Sequence, residues 1–405
     1  MRRSVAGVLL LVLTSGCENR DTRSELTLRD SVGVRIMEYG GRAEAAAPTW
    51  RIDPTPTLDL GGTMSRNGPA LYRIAEVLRL EDGRIVVANG GSNSLEVFAP
   101  DGTRLRSVGR SGDGPGEFRA LSWVGRLKGD TLAAWDSGLG RLSLFSSSGD
   151  YVRSVSPRRP LGMYPQAVGA LASGDIVLAL YQPTLGKSTT RTVHLQRDTV
   201  GYAVLSRDGS ARELGKVAGT DMIMSGNPAG GLMVMPLPFG RQSVATVGGE
   251  RVYVTDGEQF EVAAYDARGG VRALLRAEWP RLPVTSEDVR RFRESLVTLG
   301  GEGNASLQRQ QAELLDRAPW PQQKPAITSL RTDPGGNLWV ESPVDGPERL
   351  ATRWTAFSPQ GRVLGAARVP GRLDVRQVGP NWVLGIALDQ NQVEHVRLHK
   401  LIKPE

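Results

Sequence analysis

The 405-residue sequence is short of the residues that most often carry chemistry. A single cysteine excludes an intrachain disulfide and a cysteine-ligated zinc site. Three histidines, His194, His395 and His399, leave little from which to build a histidine metal cluster. They fall in segments that read as strands, and no nucleophile–base pair of the Ser/His/Asp kind is legible around them. Aromatic residues make up only 6% of the chain. Only six of the 50 basic residues are lysine, and the arginines are scattered, the densest group being Arg290, Arg291 and Arg293. Despite a net charge of +7 there is therefore no concentrated basic stripe, and nucleic acid is excluded as a partner. The glycines Gly109, Gly112, Gly114 and Gly116 have the density of a phosphate loop, but no helix-forming segment follows them. What the chain does have is 40% hydrophobic residues with 23% charged, which excludes wholesale disorder, and 49 glycines with 25 prolines, which suits many short turns.

The N-terminus reads as an export signal. Met1–Arg2–Arg3 is basic, and the nine residues Val5 to Leu13 are apolar, far fewer than the about 20 that a spanning helix needs. Leu13–Thr14–Ser15–Gly16–Cys17 follows and resembles the lipobox of bacterial lipoproteins, with Thr14 where an aliphatic residue is usual. The resemblance implies removal of residues 1–16, lipidation of Cys17 and attachment to a membrane of the cell envelope. Glu18 after the cysteine leans that expectation towards the outer membrane. Residues 17–45 are then a lipidated tether with a lead-in strand at Asp30–Glu38.

A repeat governs residues 46–405. One unit runs Val77–Leu80, Arg84–Asn89, Leu95–Phe98 and Leu105–Gly109, with turns at Gly83 and Gly102; a second runs from Trp123 to Val155. An apolar residue four before a glycine marks each unit: Phe98/Gly102, Phe145/Gly149, Leu205/Gly209, Tyr265/Gly269 and Phe357/Gly361. An earlier turn recurs at Gly83, Gly129, Gly174, Gly249 and Gly336. Four short apolar runs joined by tight turns make a four-stranded antiparallel meander, the blade of a propeller. Five units are complete. A sixth starts at Leu373 and lacks its last strand, whereas Thr57–Gly61 matches Arg106–Gly109 of the first unit. The spacing therefore predicts an all-β, six-bladed propeller closed by an N-terminal strand in the last blade.

The pattern resembles NHL-type six-bladed propellers, best at Asp82–Gly83, Val86–Ala88, Val97–Phe98, Asp101–Gly102 and Gly114–Phe118. The Asp30–Glu38 segment is similar to the lead-in of uncharacterised bacterial propeller lipoproteins. Some relatives of this kind are lactonases and lyases in which a ring of oxygen ligands holds a metal. The resemblance thus points to Asn89, Asp136, Asp256 and Glu341, each after a second strand, as a calcium set. The same residues also suit a turn that satisfies backbone N–H groups at the strand exit.

Strand parity separates two faces. Turns 1–2 and 3–4 share one face and are short. Turns 2–3 and the blade links share the other, and there lie the long insertions Gln182–Arg191, Ala218–Arg241 and Arg281–Ala326. Loops on a rigid scaffold carry binding, so this face is the expected site, with Asn67, Asn89, Arg110, Asp113, Asp136, Arg141, Asp256 and Glu341 as candidates. The largest insertion, 284–318 between the fourth and fifth blades, reads as two helices. Thr285 and Asp288 form a capping signature, and Pro319 ends the second helix. Met222–Met224 and Met233–Met235 flank Ser225–Pro228 and read as a hairpin with its methionines packed inward, although thioethers also suit Cu(I). Two functions follow as expectations: a binding or scaffold module for a protein, glycan or small ligand, or a calcium-dependent hydrolase or lyase.

Overall fold

Positive φ at the turn glycines carries the repeat into three dimensions. Gly102 lies at φ +88° and Gly149 at +83°, and Gly209, Gly269 and Gly361 share this left-handed geometry. Ala99 donates to Thr103 O and Gly102 to Ala99 O, while the register shifts between Val97 and Phe98. This is a short hairpin loop whose last residue must tolerate αL, followed by a bulge. A methyl group at Gly102 would come within 2.9 Å of Leu58, so the closing segment packs directly on this turn.

The computed structural model describes residues 25–43, 47–61, 70–162, 164–182, 192–226, 232–299, 305–344, 352–371 and 373–404. The chain starts with β1 (Leu26–Ser31), β2 (Val34–Arg42), β3 (Thr49–Ile52) and β4 (Leu58–Gly61). Antiparallel meanders follow. The first is β5 (Ile74–Arg79), β6 (Ile85–Asn89), β7 (Ser94–Phe98) and β8 (Arg104–Val108). The second is β9 (Leu121–Arg126), β10 (Leu132–Asp136), β11 (Arg141–Phe145) and β12 (Tyr151–Val155). The third is β13 (Tyr164–Ala170), β14 (Ile176–Gln182), β15 (His194–Leu205) and β16 (Ala211–Gly226), extended by β17 (Leu232–Pro236). The fourth is β18 (Val244–Gly248), β19 (Arg251–Thr255), β20 (Glu261–Asp266) and β21 (Val271–Glu278). Helices α1 (Ser286–Leu299) and α2 (Ala305–Asp316) come next. Then follow β22 (Ser329–Thr332), β23 (Leu338–Pro343), β24 (Thr352–Phe357) and β25 (Val363–Arg368), and finally β26 (Leu373–Val378), β27 (Trp382–Leu388) and β28 (Glu394–Ile402).

The first strands of successive meanders touch in the order β5, β9, β13, β18, β22, β26 and back to β5. They surround a channel, and the architecture is a β-propeller. Strands β6 and β10 are buried at every position. Each is covered on both faces by neighbouring sheets, which is why their sequences are continuous apolar runs rather than alternations.

The tail is closed from the front of the chain. Strand β4 pairs antiparallel with β28, Leu58 opposite Leu398 and Leu60 opposite Val396. Leu60 is buried with Ile85, Val87, Leu384 and Val396, between the first and last meanders. The earlier strands are less expected. Strand β2 adds in parallel to β21, and β3 adds in parallel to β25 while also touching the end of β28. The segment foreseen as a lead-in, now β2, thus forms with β3 a belt on the outer rim, covering sheet edges that would otherwise stand open. Because β3 bridges two meanders, hydrogen bonding groups the strands into five sheets. No helix among the described residues is long and apolar enough to cross a membrane.

Candidate functional site

The structure disperses the proposed calcium ligands. Asn89 is fully buried; its Oδ1 accepts from Tyr72 N–H and its Nδ2 donates to Ala70 O. Asp136 is also fully buried: Oδ1 accepts from the N–H groups of Ala120, Gly138 and Leu139, and Oδ2 from Arg119 N–H at 2.6 Å. Each side chain clamps the link that enters its own meander. Asp256 lies one position beyond this register, since Thr255, not Asp256, pairs with the first residue of β18. It joins instead an ion network between the long third-meander hairpin and β19. In that network Arg197 reaches Asp256 O and Glu258, and Arg241 holds Asp221 and Glu258. Among the described residues no group of three His, Cys, Asp or Glu side chains could hold a metal. The oxygens of Asn89 and Asp136 are already taken by the backbone, so the four residues do not fit a shared calcium ion.

Arg110, Asp113 and Arg141 form a self-contained loop cluster. Arg110 pairs with Glu117 and Asp113 with Arg119, while the Arg141 guanidinium donates to the carbonyls of Asp113, Gly114 and Glu117. Their hydrogen bonds shape the link between the first two meanders. Cys17, Asn67 and the 183–191 part of the third-meander loop lie outside the described residues.

The insertions do meet. Thr285 caps α1 reciprocally: its Oγ1 accepts from Asp288 N–H, and its own N–H donates to the Asp288 carboxylate. Strands β16 and β17 form the methionine hairpin, with Ile223 opposite Met235 and Ser225 opposite Met233. Ile223 and Leu237 are buried against Leu314, Leu315 and Ala318, with Met233, Met235, Phe292 and Trp320 packed around them. Met224 is buried, and Met233 and Met235 make apolar contacts. Met233 and Met235 thus act as packing surface between hairpin and helices.

This satellite core supports a cavity of about 570 Å³. Its walls come from the 235–242 link, from α1 and its approach, and from Pro343, Val344 and Thr352. Met235, Leu237, Phe239, Phe292, Pro325 and Val344 make it largely apolar. Phe239 and Phe292 meet edge to face with centroids 6.0 Å apart, and both lie against Trp320. Every wall is a blade link or a 2–3 loop, so all belong to the face that strand parity selects.

On the floor, Thr328 and Thr352 line the cavity and hydrogen-bond the Glu341 carboxyl, Thr328 at 2.9 Å. Burial pushes this carboxyl above the ordinary glutamate range, against the two threonine hydrogen bonds. The folded chain then holds the proton to higher pH than the unfolded chain. The stabilising contribution is greatest below the unfolded value, about 4.3, and is lost as pH rises through the folded one. Glu341→Gln is therefore expected to flatten the stability profile just above that value. Urea midpoints measured across the range would show it, and parallel profiles for variant and parent would refute it.

Beneath lies the channel, about 780 Å³, lined by all the first strands. Gln242 borders both cavities, and its Nε2 donates to Thr328 O at 3.2 Å, forming a partition. The channel carries Glu76, Arg331, Asp374 and Arg376, none of them among the sequence-derived candidates. The signal was present as charged residues inside short apolar first strands, but it gains meaning only once those strands are known to face an axis.

No family model matches the chain, and no curated protein matches it. Solved structures do show likeness. A member of the DUF4221 family from Bacteroides vulgatus has 11% identity and a TM-score of 0.49, over 88% of this chain and 100% of that one. Virginiamycin B lyase from Staphylococcus aureus has 10% identity and a TM-score of 0.41, over 86% and 99%. The calcium-binding protein regucalcin from Agrobacterium tumefaciens has 10% identity and a TM-score of 0.38, over 88% and 97%. These likenesses transfer neither ligand nor reaction to this chain.

Proposed function

We propose that the protein is an envelope lipoprotein, anchored through Cys17, whose NHL-type six-bladed propeller binds a small apolar or amphipathic ligand on its insertion-bearing face. The six-blade reading divides the β3-bridged sheet into two blades, one ending at β25 and one closed by β4. The export reading is supported by the basic start, the nine-residue apolar run and the lipobox-like Leu13–Cys17.

The binding reading is carried by one observation. Two insertions distant in sequence, 218–241 and 281–326, together with Pro343, Val344 and Thr352, assemble a largely apolar cavity of about 570 Å³, a size and character suited to a small molecule. The rival reading, a calcium-dependent hydrolase or lyase, needs oxygen donors that converge, and its proposed ligands are dispersed among separate clamps and an ion network. The test uses anilinonaphthalene sulfonate as an amphipathic fluorescent probe on the folded protein. One saturable site is expected. Val344→Trp, which fills the cavity, should weaken binding at least about tenfold, the loss of roughly one buried side chain's worth of contact. Non-saturable fluorescence, or unchanged affinity in the variant, would remove the support.

A further inference from the structure

The four charged side chains of the channel are unequally matched. Arg376, on β26, donates from Nε and Nη2 to Asp374 Oδ2 at 3.1 and 2.8 Å, and from Nη1 to Ala75 O. Its Nη1 also lies 3.7 Å from Glu76 Oε2. Two carboxylates thus face one guanidinium.

Arg331, on β22, has no such match. Its Nε donates to Val375 O at 3.1 Å, and its Nη1 to Ser329 Oγ and Leu330 O at 3.1 and 2.8 Å. All three acceptors are neutral. Among the described residues no carboxylate comes within 4.0 Å of it, and its Nη2 makes no hydrogen bond. Glu76 and Glu341 feel its charge only at longer range, neither lying within 4.0 Å of it, and burial raises both carboxyls above the ordinary glutamate range. A guanidinium stays charged at any working pH. Held in a partly dehydrated cavity with an N–H to spare, it is a seat for an anion, because a charge-assisted bond there replaces lost hydration.

We infer that the central channel binds a small monocarboxylate, with the ligand's carboxylate received by Arg331. One unmatched cation calls for one negative charge. Asp374 on the neighbouring strand disfavours a second, which argues against a phosphate dianion. Gln166, Gln242, Ser243 and Ser329 supply amide and hydroxyl groups for the rest of the ligand, and Tyr181 and Trp123 supply ring surface. This seat lies on the channel side of the Gln242–Thr328 partition, so it stands independently of the apolar cavity above.

The probe is benzoate, titrated calorimetrically into the intact protein in chloride-free buffer at millimolar concentrations. Benzoate is expected to occupy one site, and methyl benzoate, of the same shape without the charge, to bind at least about tenfold more weakly. Arg331→Gln should weaken benzoate by a similar factor and leave methyl benzoate unchanged. Val344→Trp should not affect benzoate. The assignment is overturned by equal binding of benzoate and methyl benzoate to the parent protein, by absence of benzoate binding, or by full binding to folded Arg331→Gln. It is also overturned if Val344→Trp abolishes benzoate binding, which would place the probe in the apolar cavity instead.

Discussion

Asp136→Ala is expected to lower the unfolding free energy by about 3 kcal/mol, although Asp136 borders neither cavity. The carboxylate is fully buried and accepts four backbone N–H groups from two segments, Arg119–Ala120 and Gly138–Leu139. Truncation leaves those donors unsatisfied, and each buried unsatisfied group costs about 1–3 kcal/mol. Local rearrangement and water entry recover part of the sum. Asp136→Asn gives an internal comparison. Its amide oxygen can keep the three Oδ1 partners, but its NH₂ faces the Arg119 N–H, so a smaller loss, about 1–2 kcal/mol, is expected. The first meander uses an amide at the equivalent position because Asn89 has one donor and one acceptor to satisfy. Chemical denaturation of the three proteins would decide the point. A loss below about 1 kcal/mol for Asp136→Ala would mean that the clamp contributes little.

The largest effect is expected at the ring closure. Leu60→Asp should cost about 4 kcal/mol or more, combining the loss of a buried leucine with the burial of an unpaired charge. Leu60 is 7% exposed and is held between Ile85 and Val87 of the first meander and Leu384 and Val396 of the last. Its neighbour Asp59 points to the other face of β4, towards His395 Nδ1 at 2.6 Å and Arg397 Nε at 2.9 Å. These groups are partly exposed. Asp59→Ala is therefore expected to cost under about 1 kcal/mol. Adjacent residues in one four-residue strand should thus differ severalfold, as the period-two alternation of a strand requires. Denaturation midpoints of both variants measure this directly. Similar losses at both positions would mean that β4 does not sit in the closing interface.

Much of the fold was legible because its signals are local. A tight hairpin loop that needs a left-handed residue selects glycine, so Gly102, Gly149, Gly209, Gly269 and Gly361 mark their turns without reference to anything distant. The capping pair Thr285 and Asp288 and the stop at Pro319 are local in the same sense. The closing segment was legible because Thr57–Gly61 repeats a strand already read within the first unit. The candidate site was less legible. Asn89 and Asp136 recur for a reason that belongs to each meander alone, the satisfaction of its own link. A shared motif therefore resembled a shared site. Asp256 was offset by a single residue, enough in a strand register to turn a side chain to the other face.

By itself, then, the amino-acid order determined the meanders, their turns, the face carrying the insertions and the strand that joins the two ends. The tertiary structure alone decided that β2 and β3 belt the rim, and that segments around 237, 292 and 344 enclose one apolar cavity. It alone decided that Arg331 faces the axis without a carboxylate beside it. The physical reason is separation along the chain: a turn is selected by the φ of one residue, whereas a cavity exists only where side chains about 50 or more residues apart are brought together by packing.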